Sequence, residues 1–143
     1  MTVIDLSAII LYEDQHRILL KHRTDDAATF PGYWSFFGGS VEPGETFEEA
    51  AIREAYEELS YTLRAPLHWL SQPFGYEGQP YKQHVFVEKY DGAALSLGEG
   101  QGMDWYEPSE TGALIMSAHA RTAVKALDRW LAWRLGRGHT KAD

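Results

Sequence analysis

Thr46-Phe47-Glu48-Glu49 stands directly before a stretch of helical periodicity, and no other feature restricts the fold of this chain so tightly. Free backbone donors at a helix start are satisfied when a Thr hydroxyl accepts from the third residue on and that residue's Glu carboxylate reaches back to the cap. The pattern predicts a helix from about Phe47 to Leu59. Along it, Ile52, Ala55, Tyr56 and Leu59 recur at i, i+3, i+4 and i+7, one apolar stripe that a core must cover. Glu54, Glu57 and Glu58 recur at i, i+3 and i+4 on a different face, a spacing that projects three carboxylates into one small volume.

The charge on this helix is unbalanced. From Glu42 to Glu58 there are also Glu45, Glu48, Glu49, Glu54 and Glu57, against the single cation Arg53, in a chain of net charge −8. A solvated face and a cation site are the two readings. Solvated helices usually alternate signs, whereas Glu54 and Glu58 are like charges at i, i+4, a pairing that costs about 0.2–0.5 kcal/mol. Glu57 and Glu58 also lie where the helix dipole disfavours anions. A divalent cation removes both penalties. With no Cys and no clustered His, the donors are all oxygen, which indicates Mg²⁺ or Mn²⁺ rather than Zn²⁺. Arg53, at i, i+4 from Glu57, is either a surface ion pair or the group that orients that carboxylate, and the second reading is preferred.

The rest of the chain reads as strands and one more helix. Ser7 to Leu11 and Arg17 to Leu20, joined by Glu13-Asp14-Gln15-His16, form a hairpin. Arg23 to Gly32 is a loop, and Tyr33 to Phe37 a strand ending at Gly38-Gly39. Gln83 to Tyr90 and Met103 to Tyr106 are further strands, and Ser117 caps a closing helix through Arg134. Strands, helix, strands, helix gives an α+β class, a mixed sheet between helices, in one domain spanning residues 1–143. No apolar run reaches the roughly 20 residues of a membrane span, and no signal peptide opens the chain. An acidic chain attracts neither a nucleic-acid polymer nor an anionic membrane. The lack of Cys is compatible with the cytoplasm.

Gly39-Ser40-Val41-Glu42-Pro43-Gly44-Glu45, the helix to Ile52, and Arg53-Glu54-Ala55-Tyr56-Glu57-Glu58-Leu59-Ser60-Tyr61 together resemble the Nudix box. That pattern is Gly, five residues, Glu, seven residues, Arg-Glu, an aliphatic residue, any residue, Glu-Glu, any residue, Gly, aliphatic. Residues 39–61 carry every charged position. The flanks, Trp34 to Gly39 on one side and Glu99-Gly100-Gln101 with Trp105 on the other, are similar to MutT-like members. Three positions depart: Ser60 replaces the box Gly, Tyr61 its last aliphatic residue, and Phe37 a frequent Pro.

The resemblance implies a Nudix fold, an α/β/α sandwich with a mixed central sheet, and a hydrolase cleaving the pyrophosphate bond of a nucleoside diphosphate linked to X. By the same resemblance Glu54, Glu57 and Glu58, with the Gly38 carbonyl and Glu99, hold Mg²⁺ or Mn²⁺, and Glu54 is the first choice of base. Glu45 braces the loop through Arg53. Glu99 is otherwise a solvated Glu on the loop Gly98 to Gly102, which has the flexibility to close over a phosphate. Arg23 meets a terminal phosphate or lies at the surface. Gly39, Trp34 and His119 are the substrate-contact candidates, with Phe36 and Tyr81. The aromatic residues are otherwise core and His119 a capping side chain. The compact chain favours a (d)NTP, with nucleotide sugars, dinucleotides or a non-catalytic nucleotide-sensing module as alternatives. The partner is a small-molecule nucleotide, and the assembly a monomer or homodimer.

Overall fold

The computed structural model describes residues 2–136. Its sheet is organised around β1 (Ile4–Glu13). One edge of β1 is shared. Its C-terminal end pairs antiparallel with β2 (Arg17–His22), and its N-terminal half pairs antiparallel with β4 (Phe37–Ser40), from Leu6 opposite Ser40 to Ile9 opposite Phe37. The other edge runs parallel to β6 (Gln79–Lys89), from Ile4 opposite Tyr81 to Tyr12 opposite Lys89. β5 (Leu67–Tyr76) adds antiparallel outside β6. β3 (Trp34–Ser35) and β7 (Gly102–Tyr106) both pair antiparallel with β2. The parallel contact between β1 and β6 makes the sheet mixed.

Two helices cover its faces. Ala8, Ile10, Tyr12, Val85 and Val87 meet Ala120, Ala123, Val124, Leu127 and Leu131 of α2 (Ala118–Arg134). Ile9, Leu11, Leu19, Phe37 and Phe86 meet Ala51, Ala55 and Leu59 of α1 (Phe47–Leu59). Because β1 is covered on both sides, Ala8 to Tyr12 reads as an unbroken apolar run rather than an alternation. The layers are therefore helix, mixed sheet, helix, as expected. No helix among the described residues is long and apolar enough to cross a membrane.

The ends of α1 and α2 match the capping pattern. Glu49 N donates to Thr46 Oγ1 at 3.0 Å, and Thr46 N donates to Glu49 Oε1 at 2.8 Å. Ser117 caps α2 through the Ala120 amide. Two expectations about residues 33–39 are corrected. The strand predicted over Tyr33 to Phe37 is two strands, since the chain leaves β2 at Ser35 and reaches β1 at Phe37. Gly38 and Gly39 lie inside β4 instead of ending it. At Gly38, φ is 143°, and a Cβ would lie 2.1 Å from the Ser7 carbonyl oxygen, so only glycine permits this approach.

β5 was not anticipated. Its sequence includes Ser71, Gln72, Pro73 and Gly75, residues tolerated on a strand that pairs along one edge only. The stripe on α1 is also rotated. Ala51, Ala55, Glu58 and Leu59 are buried, whereas Tyr56 is 64% exposed and Ile52 only partly covered. Small alanines let the helix lie close on β1 and β4, and this rotation turns Glu58 inward.

Ser60 ends α1 in the left-handed region, φ 54° and ψ 33°. A non-glycine residue there costs about 1–2 kcal/mol, partly offset by the roughly 0.5–1 kcal/mol of chain entropy that glycine loses on ordering. Ser60→Gly is expected to raise stability by about 0.5–1 kcal/mol, seen as a higher urea midpoint with unchanged slope.

Candidate active site

Arg53 binds together the loop before α1 and the acidic face of the helix. Its Nε and Nη2 donate to the two oxygens of Glu45 at 2.8 and 3.0 Å, and Nη2 also donates to the Ser40 carbonyl at 3.0 Å. Nη1 donates to Glu54 at 2.9 Å and Glu57 at 3.2 Å, with Glu42 at 3.7 Å. Hydrogen bonds from Arg53, then from the Glu42 amide, hold the Glu45 carboxyl well below the usual carboxylate range, at about 2. The brace from Glu45 through Arg53 is thus present, and the same guanidinium aligns Glu54 and Glu57. Gly39 gives Glu54 its room, since a Cβ there would lie 2.5 Å from Glu54 Oε1.

Glu58 goes elsewhere. Its Oε1 accepts from Lys21 Nζ at 2.6 Å and its Oε2 from the Gly38 amide at 2.7 Å, with both side chains of the ion pair buried. Burial raises the Glu58 carboxyl above its ordinary range, while Lys21 and the Gly38 amide pull the other way. The three carboxylates are held differently: Glu54 lines a cavity and shares Arg53 Nη1 with the more exposed Glu57, while Glu58 sits in the interior on Lys21. Among the described residues, no three His, Asp or Glu side chains gather around one point in a metal-holding geometry.

The cavity beside Glu54 measures roughly 320 Å³ and is bounded by β1, β4, β6 and the start of α2. It brings together Arg23, Trp34, Phe36, Gly38, Gly39, Glu54, Tyr81, Glu99 and His119. Arg23 is tethered, with Nε donating to the Thr29 carbonyl at 2.8 Å and Nη2 to the Thr29 hydroxyl at 3.0 Å. Trp34 stacks on His22 with ring centroids 4.6 Å apart. His119 stacks on Phe74 at 3.8 Å, and Phe74 on Tyr81 at 4.9 Å. Burial pushes the His119 imidazole down to about 4, so it is neutral at pH 7.

Lys21, Phe30, Phe74 and Gln83 were missed. Lys21 and Gln83 had a signal, since each is polar at an inward position of a strand whose neighbours Leu19 and Val85 are core. Phe30 and Phe74 had none, lying on a loop and on the unanticipated β5.

Comparison with known proteins agrees with this architecture. The NUDIX domain model matches residues 3–133. The chain belongs to the Nudix family. A curated relative described as an uncharacterized Nudix hydrolase, orf19 of Rhodococcus erythropolis, is 37% identical over 114 residues, 70% of this chain and 60% of that protein. Nucleoside triphosphatase NudI of Escherichia coli is 47% identical over 53 residues, 37% of this chain and 38% of that one. The chain thus spans less than two thirds of the length of either relative. The crystal structure of a MutT protein from Methanosarcina mazei Go1 superposes with a TM-score of 0.81 at 24% identity, covering 90% of this chain and 94% of the other.

Within the Nudix box the departures have local uses. Tyr61 is buried, and its hydroxyl accepts from the Asp91 amide at 3.1 Å. Phe37 packs in the core below Lys21, whose Nζ is 5.6 Å from the ring centre. The loop holding Glu99 is pinned rather than free. Ser96 N and Gly98 N donate to the Leu59 and Glu58 carbonyls at 2.9 and 2.7 Å, and Gln101 N donates to the His22 carbonyl at 2.9 Å. The first two bonds satisfy the last carbonyls of the Nudix helix, the third ties the loop to the end of β2, and Glu99 between them lies on the cavity wall.

Removing one partner of a buried ion pair strands the other charge at about 3–5 kcal/mol, while removing both is far milder. Lys21→Met is expected to destabilise on that scale, and Lys21→Met with Glu58→Gln by less than the sum of the single changes; additive urea data would contradict this. His119 gives a pH prediction. Between its ordinary value of 6.5 and about 4, the unfolded chain takes a proton that the folded chain refuses. Stability should therefore fall as pH drops through that window, and His119→Phe should flatten this part of the profile.

Proposed function

We propose that this Nudix chain is a pyrophosphohydrolase that splits the P–O–P linkage of a nucleoside diphosphate linked to X, with a (d)NTP as preferred substrate, releasing a nucleotide and phosphoryl-X. One observation carries the reading: a single cavity has the carboxylates Glu54 and Glu99 on its wall together with the rings of Trp34, Tyr81, Phe74 and His119. Such a space suits a molecule with a charged phosphate chain and a planar base. The likeness to a nucleoside triphosphatase supports the choice of triphosphate.

The donor set fits a hard divalent cation in its chemistry. Its side-chain donors are all carboxylate oxygens, and two of them, Glu54 and Glu57, share the single guanidinium of Arg53 with Glu42 and Glu45, an excess of negative charge that alone would repel phosphate. Glu54, Glu57, Glu58 and Glu99, with the Gly38 carbonyl, would hold Mg²⁺ or Mn²⁺, Glu58 at the expense of its bond to Lys21. When bound, the ion screens phosphate charge and lowers the pKa of water.

The remaining work falls to the side chains. Arg53 holds Glu54 through Oε1, leaving Oε2 to accept a proton from the attacking water as its oxygen bonds to phosphorus and the bond to the leaving phosphate oxygen breaks. Arg23, tethered through Nε and Nη2, keeps Nη1 for a phosphate oxygen. Trp34 and His119 position the base, and the backbone at Gly39 lets the phosphate chain approach Glu54. Orientation and charge stabilisation supply most of the rate.

A second reading, a non-catalytic nucleotide sensor, is favoured by one feature: Lys21 already neutralises Glu58. Mg²⁺-dependent phosphate or pyrophosphate release over dNTPs, nucleotide sugars, ADP-ribose and dinucleoside polyphosphates separates the two. The hydrolase predicts turnover of triphosphates, a fall in kcat of about 10²–10⁴ in Glu54→Gln, and a clear loss in Glu58→Gln. Undiminished turnover in Glu58→Gln overturns the mechanism. Tight nucleotide binding with no turnover selects the sensor.

A further inference from the structure

Gln83 lies on β6, opposite Leu6 of β1, and is 8% exposed where it meets the cavity. The hydrogen bonds around it fix which end of its amide faces inward. Gln72 Nε2 donates to the His119 backbone carbonyl at 3.0 Å, and a carbonyl only accepts, so nitrogen must be the Gln72 atom at that position. The same Nε2 donates to Gln83 at 3.0 Å, so the Gln83 atom facing it is Oε1. Gln83 Nε2 is thereby turned away from Gln72. It makes no hydrogen bond among the described residues, and it is not sealed off from solvent. Gln83 thus lines the cavity with a side chain more than nine-tenths buried, and the end of its amide not committed to Gln72 is an unpartnered donor. The rings near it, Tyr81 two residues away on the same strand face and Phe74 stacked on Tyr81, offer flat apolar surface.

From this geometry we infer that Gln83 reads the nucleobase, donating an amide N–H to the carbonyl at C4 of a pyrimidine or C6 of a purine, so that the site prefers keto bases (uracil, thymine, hypoxanthine, guanine) to bases with an amino group at that position. An amino base would bring N–H against N–H and leave a buried donor unpaired, which penalises binding more than one hydrogen bond rewards it. Gln72 is a positioning residue here: it holds the Gln83 amide in the orientation that presents nitrogen. The inference rests on the nucleotide reading of the cavity and names the base class for it.

The test compares bases that differ at one group, UMP with CMP and IMP with AMP, by calorimetric binding to the full chain without metal, alongside kcat/KM for UTP, CTP, ITP and ATP with Mg²⁺. The keto member of each pair is expected to bind about tenfold more tightly, the worth of one well-placed hydrogen bond. Gln83→Glu keeps an acceptor for Gln72 but offers the cavity an acceptor, so the preference should invert. Gln83→Met removes the donor with little change in volume, so the preference should vanish with folding retained. Equal binding within both pairs by the unaltered chain, or an unaltered ratio in both variants, overturns the inference. Hydrolysis without keto preference would overturn it while leaving the pyrophosphohydrolase intact. Keto preference in binding without hydrolysis would support it and overturn the hydrolase alone.

Discussion

The bond between Lys21 and Glu58 is the constraint from which the candidate site is arranged. It joins β2 to α1 in the interior, and the second oxygen of Glu58 takes the Gly38 amide, so three elements meet on one carboxylate. An interior carboxylate without a partner would be costly enough to turn the helix away. With Lys21 beneath it, α1 can bury Glu58 beside Ala55 and Leu59. That rotation carries Glu54 to the cavity and leaves Tyr56 and Glu57 outside. An ion pair that adds little net stability can still select one orientation of a helix over its neighbours.

Arg53 works on the other side of the helix with the opposite logic. Lys21 compensates one charge in the buried interior, whereas Arg53 distributes one charge among Glu42, Glu45, Glu54 and Glu57 near the surface. The bidentate contact with Glu45 fixes the loop before α1, and the remaining nitrogen sets the direction of Glu54. Of the four carboxylates on Arg53 only Glu54 reaches the cavity wall, while the aromatic stack is built from β5, β6 and α2. Charge and flat apolar surface are thus supplied by different layers of the sandwich.

The helix boundaries were legible because they are written locally: Thr46 with Glu49, and Ser117 before Ala118, specify their caps within three residues. The brace from Glu45 to Arg53 was legible too, through the family pattern. What was hidden depended on partners distant in sequence. Tyr56 outranks Ala51 in hydrophobic area, so periodicity favoured the wrong face, and only the close approach of β4 shows why alanine is buried there. Arg23 read either as a phosphate contact or as a surface residue, and its attachment to Thr29 emerges only when the loop is closed. β5 was invisible because Pro73 and Gly75 are signals of irregular chain that an edge strand absorbs. Gln83 stood in plain view among Val85, Phe86 and Val87, yet its meaning lies in Gln72 and the His119 carbonyl.

The parallel pairing of β1 with β6 also sets an order of events during synthesis. Ser7 faces His84 across that ladder, so an apolar strand buried on both faces in the finished fold must wait for chain made much later. At a synthesis rate of about 5–20 residues per second, the interval lasts several seconds. During it the acidic helix can form from its own capping signals, but one edge of β1 has no partner and the wall that includes Tyr81 and Gln83 does not yet exist. Non-local parallel pairing is slow to close. The nascent chain therefore carries an adhesive strand edge, shielded only by its surroundings, until β6 arrives and closes the sheet and the pocket together.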